Sequence, residues 1–272
     1  MGWSTVGIVV LGAAGYAFVL NAVVFDLPVV QSVAPATGGI VRPTLVANLA
    51  GLFVVFVILR WRTGSHLRAL GINWGRPRVA GATVVLAWFL TQVVGAAALV
   101  TAGESFGLTI SADRFRFGLG TFLAQVAGVA LFEEVVYRGL LLGQLLDRLK
   151  SFLDDWAAIL GAIVLSAVAF AIVHVPHRLR LGTVTGSLSG DMVALFVVGV
   201  TFAVVYLRTG SLFVTIGFHA LYNRPVSPVL SPEPARAVLA VVLVIVVIGW
   251  PLLAEMGSVD SPLQRIRTVI GS

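Results

Sequence analysis

Residues 118–146 read GLGTFLAQVAGVALFEEVVYRGLLLGQLL, an apolar run with helical patterning that carries Glu133, Glu134 and Arg138 near its middle. An ionised side chain at the centre of a membrane helix costs about 2.5–3.5 kcal/mol on insertion scales. Three of them facing lipid would cost roughly 8–10 kcal/mol. They must therefore point into a protein interior and be paired there. An ionisable cluster at that depth is by default a functional site.

The rest of the chain supplies the bundle that such a cluster needs. The 272 residues are 58% hydrophobic and 11% charged, with a mean hydropathy of +1.02; about 25% charge is usual for soluble domains. Apolar runs lie near 3–24, 45–60, 79–102, 118–146, 156–175, 191–207, 211–223 and 235–254. About 20 residues cross the hydrocarbon core, so most of these qualify; 211–223 is short. The fold class expected is all-α: a polytopic transmembrane bundle of seven to eight helices, a single membrane domain over 1–272 with a core at about 118–223. The first run has no basic residue before it and reads as a span, not a cleavable signal. With no cysteine, disulfides, thiolate catalysis and Cys-ligated metals are excluded.

Charge asymmetry orients the bundle. The polar stretch 60–78 carries Arg60, Arg62, Arg68, Arg76 and Arg78 and gives one side a modest basic excess. The positive-inside rule then places both termini in the cytoplasm of a multi-pass cell-membrane protein. The net charge of +6 suits anionic headgroups, and nothing points to nucleic acid.

Glu134 and Arg138 are i and i+4 on one helical face and can form an ion pair. Glu133 lies about 100° around and is freer to exchange a proton. Of the four histidines, His174 closes SAVAFAIVH with Phe170 one turn before it, and His219 lies in SLFVTIGFHALYN with Asn223 one turn after it. His177 follows Pro176 and is read as a loop residue; His66 belongs to the basic loop. Gly190-Asp191 reads as a loop and cap feature. Gly139 and Gly143 form a GxxxG that predicts close helix packing.

Three of these segments resemble the CPBP family of intramembrane proteases, the CAAX prenyl proteases and bacteriocin-processing, Abi-like enzymes. The family pattern Glu-Glu-x-x-x-Arg, Phe-x-x-x-His, His-x-x-x-Asn/Asp appears in order as Glu133-Glu134-Val-Val-Tyr-Arg138, Phe170-Ala-Ile-Val-His174 and His219-Ala-Leu-Tyr-Asn223, with Thr-Gly-Ser-Leu at 209–212 before the last. The resemblance covers roughly 118–223. It implies an endopeptidase acting on membrane-associated peptides or proteins. Glu133 would be the general base, with His174 holding the water. His219 and Asn223 would donate to the oxyanion, and Glu134 and Arg138 would support Glu133. Glu133, His174 and His219 could also supply three ligands to a catalytic zinc, although the HExxH pattern is absent. The metal-free reading is preferred and the metal left open. Intramembrane Glu, His and Arg also build proton relays, so a proton-coupled transporter is the alternative from another class. A non-catalytic scaffold or immunity protein of the same fold is a third.

Overall fold

A computed structural model describes residues 3–63, 77–104, 112–181, 187–224 and 232–255. The basic loop, including His66, lies outside them. Each of the eight apolar runs is helical, and no strand occurs among the described residues. Apart from short helical turns over 24–36, the helices are α1 (Trp3–Ala22), α2 (Pro43–Thr63), α3 (Pro77–Thr101), a long α4 (112–149), α5 (Asp155–Val173), α6 (Val175–Leu181), α7 (Leu188–Thr209), α8 (Leu212–Asn223) and α9 (Pro232–Glu255).

Among the described residues five helices are long and apolar enough to cross a membrane. A sixth span results if the pair Val10–Asp26 and Pro28–Ala36, bent by 83°, counts as one. Leu212–Asn223 and Pro234–Trp250 are shorter. The protein is thus an all-α polytopic membrane protein. At 1.5 Å per residue α8 is only about 18 Å long, against a hydrocarbon core of about 30 Å. It need not span, because α3, α4, α7 and α9 surround it. Val214, Thr215, Phe218, His219 and Ala220 are buried inside that ring.

Local chemistry sets the ends that matter for α8. Gly210 takes the left-handed conformation at φ 64° and returns its N–H to Tyr206 O at 2.8 Å, closing α7. Ser211 then opens α8 by accepting from the Val214 N–H at 3.4 Å. Thr209-Gly210-Ser211-Leu212 is therefore a stop and a start in four residues, and it sets His219 two turns into a buried helix. In α9, Pro251 has no N–H for Val247 O, and Arg208 Nε supplies a donor at 3.1 Å.

Between lipid-solvated helices, close packing and polar contacts do the work that water exclusion does in soluble proteins. α5 and α7 cross where a Cβ on Gly199 would lie 3.0 Å from Ala167 Cα; on α8, a Cβ on Gly217 would run into the Val84 side chain of α3. The approach expected at Gly139 and Gly143 is not seen at Gly143, where a Cβ would meet nothing within 4 Å. Among the described residues no neighbouring element lies against that face of α4 at Gly143.

Candidate active site

The charged helix α4 is not uniform. Two π-helical stretches, Ala124–Ala130 and Val135–Leu142, flank the single α-turn Leu131–Glu134 that carries both acids. Such departures from α geometry recur at functional sites. Here one leaves Tyr137 O to accept from Ser166 Oγ of α5 at 3.2 Å.

His174 is placed by a helix break. A proline ring at 176 would clash with the carbonyl four residues earlier, so α5 stops at Val173 and α6 begins at Val175. The last turn tightens, with the His174 N–H on Ala171 O at 3.1 Å. Phe170 O is then met by His174 Nδ1 at 2.7 Å. A carbonyl only accepts, so Nδ1 carries the hydrogen and Nε2 is left with its lone pair in the neutral ring. That nitrogen faces Glu133 Oε1 at 3.6 Å.

Pro176 also suits the first turn of a new helix, as proline can. His177 is therefore helical and not the loop residue expected. Its Nδ1 meets Asn21 Oδ1 of α1 at 2.9 Å.

The other half of the site is fully enclosed: Glu134, Arg138 and His219 are 0, 1 and 2% exposed. Glu134 Oε1 faces Arg138 Nη1 at 3.1 Å and His219 Nδ1 at 2.6 Å. A carboxylate beside a guanidinium accepts, so His219 Nδ1 donates and its Nε2 turns to Glu133 Oε2 at 3.6 Å. Arg138 also donates through Nη2 to Gly199 O at 3.2 Å, and its guanidinium lies 4.5 Å from the Phe170 ring centre. Phe202 stacks on His219 at 4.7 Å, with the planes 22° apart. Glu133, Glu134, Arg138, His174 and His219 thus come together from α4, α5 and α8. Both oxygens of Glu133 look across a 3.6 Å gap at an imidazole Nε2.

Residues 115–224 match the type II CAAX prenyl endopeptidase Rce1-like family. The match contains all three motifs and is consistent with the resemblance to CPBP proteases read from them. No curated protein and no solved structure matches the chain. The Rce1-like segment therefore contains every residue of the cluster just described.

Asn223, the remaining site residue expected from sequence, is joined to a different partner. Its Nδ2 donates to Gln125 Oε1 on the first π-helical stretch at 3.1 Å, one turn of α8 beyond His219. As they stand, Glu133, His174 and His219 do not form a metal-holding group, and none of three or more His, Cys, Asp or Glu occurs among the described residues. Asp191 sits buried in the first turn of α7, where Ser187 caps the helix by accepting from the Gly190 N–H at 3.1 Å.

Sequence reading missed Gly199, Phe202 and Gln125. Gly199 is a glycine inside a helix, a position that costs about 1 kcal/mol against alanine and so signals close packing. Gln125 is an amide within an apolar run and was visible on that ground. Phe202 carries no signal distinguishing it from the other phenylalanines.

Proposed function

We propose that this protein is an intramembrane endopeptidase that hydrolyses peptide bonds of membrane-associated substrates with water activated by Glu133 and His174. The observation that carries this reading is the pair of 3.6 Å gaps between Glu133 and the two Nε2 atoms. Polar groups facing one another beyond about 3.5 Å invite a bridging water. Between Glu133 Oε1 and His174 Nε2 that water donates one hydrogen to each, and its lone pair is left for a carbonyl carbon. Glu133 takes the proton as the carbon–oxygen bond forms, then delivers it to the departing amine as the carbon–nitrogen bond breaks. The products are a carboxylic acid and an amine.

On the oxyanion side His219 is the first donor, by resemblance to the family. Glu134 fixes that ring by holding Nδ1, and a fixed donor in a dry site needs no reorganisation during the reaction. Asn223 is the second donor, by resemblance to the family. Asn223→Ala is expected to lower kcat about 10²–10³-fold, measured on the same peptide as wild type.

The experiment is cleavage of a pool of internally quenched, membrane-anchored peptides by the purified full chain in lipid nanodiscs. The pool should include a farnesylated cysteine-terminal member, because the matching family is named for prenyl endopeptidases. Cleavage that survives a chelator supports the glutamate–histidine mechanism. Cleavage abolished by it and restored by a divalent ion contradicts the metal-free form. No cleavage of any member removes the proposal.

The orientation belongs to the same reading. With the arginines of 60–78 facing the cytoplasm, both termini are inside. A reporter fused after Gly271 is expected to give a cytoplasmic signal, and an external signal would invert the bundle.

A further inference from the structure

Asn223 is held from two sides by groups with no part in the cluster around Glu133. Its side-chain Nδ2 donates to Gln125 Oε1 at 3.1 Å. Its backbone is held by α9, where Arg236 donates through Nε to Tyr222 O at 3.0 Å and through Nη2 to Asn223 O at 3.4 Å. Those carbonyls end α8, and an arginine there satisfies acceptors that the helix itself leaves open. The Arg236 contacts fix where Asn223 begins, and the Gln125 contact fixes where its amide points.

The chemistry of the amide makes that contact consequential. Asn223 Nδ2 carries two hydrogens in the plane of its carboxamide. When one is committed to Gln125, the plane is set and the direction of the second is set with it. Gln125 in turn projects from Ala124–Ala130, the π-helical stretch packed directly on α8. Losing that acceptor loosens the amide's terminal torsion, which has broad, shallow preferences.

We propose that Gln125 is a positioning residue for peptide hydrolysis, accepting one Nδ2 hydrogen of Asn223 and thereby aiming the other at the oxyanion. The inference rests on the proposed function above. It adds a residue outside all three motifs, acting through Asn223 and not on the substrate itself.

The test uses the full chain in nanodiscs and whichever peptide of the pool wild type cleaves. Gln125→Leu removes the acceptor at similar size, and Gln125→Glu keeps an oxygen there. Misaiming a catalytic group costs up to about 10²-fold, so Gln125→Leu is expected to lower kcat about 10–100-fold with KM within about twofold. Gln125→Glu should recover most of that loss. The decisive readout is the double variant: once Asn223→Ala has removed the amide, adding Gln125→Leu should slow the enzyme no further. If Gln125→Leu does not fold, Gln125→Asn, which withdraws the acceptor by one methylene, carries the same expectation. A normal kcat for Gln125→Leu beside a slow Asn223→Ala overturns the positioning role alone. So do losses that multiply in the double variant. A wild-type rate for Asn223→Ala removes both this role and the oxyanion assignment, while leaving Glu133 as base untouched.

Discussion

Glu133→Gln is expected to lower the rate of peptide cleavage by about 10²–10⁴ while the protein stays folded, because an amide of the same shape cannot take the proton from water. The structure explains why folding should survive. Among the described residues Glu133 meets His174 and His219 across 3.6 Å gaps, so neither contact is a short hydrogen bond. The substitution also leaves Glu134 opposite Arg138, one negative charge against one positive. The measurement is kcat on a cleavable peptide, with a melting curve on the same sample. A variant as fast as wild type would end the general-base assignment even though the family match stands.

Arg138→Ala should fail differently. Arg138 is buried beside Glu134 Oε1, donates to Gly199 O and lies over Phe170. Removing it leaves two carboxylates without a guanidinium in a low-dielectric interior. Deleting one member of a buried pair typically costs about 3–5 kcal/mol, a large part of a domain's stability of about 5–15 kcal/mol. The expected result is a collapse in monodisperse yield and a lower melting temperature, not a slow but stable enzyme. Arg138→Lys should not rescue it fully, since an ammonium lacks the fork that reaches Glu134 and Gly199 together. Removing both charges, as Arg138→Met with Glu134→Gln, should recover much of the yield, because buried pairs replaced by matched neutral groups are often nearly neutral in cost. Wild-type yield and melting for Arg138→Ala would show that the pair carries no structural role.

What the sequence made legible here was governed by the range of each interaction. Glu134 and Arg138 are four residues apart, and the helix alone brings them together. His174 and His219 stood out because an imidazole is costly in an apolar run. The contact between His219 and Glu134, across 85 positions, depends on how α8 packs beside α4, and no local pattern encodes that. Arg138 finds its other acceptor in the backbone of Gly199, and a carbonyl has no residue identity to read. The π-helical stretches around the acids likewise have no compositional mark.

Pro176 shows the limit of a local rule. Proline does stop the helix before it, as expected, and the carbonyl of Phe170 meets His174 as a consequence. But the same ring suits the first turn of a new helix, so His177 is helical. Length alone already marks 211–223 as short for a crossing, and the neighbouring helices enclose it as a buried helix that carries His219 and Asn223.

The most direct measurement is mass spectrometry of the peptide pool after incubation with the purified wild-type chain in nanodiscs made up in ¹⁸O-labelled water. Hydrolysis by activated water yields new peptide ends at a defined bond, with a single labelled oxygen in the new carboxyl group and its appearance greatly slowed by Glu133→Gln. Intact peptides after prolonged incubation, together with proton uptake into vesicles reconstituted with the same protein, would contradict it and favour a transporter.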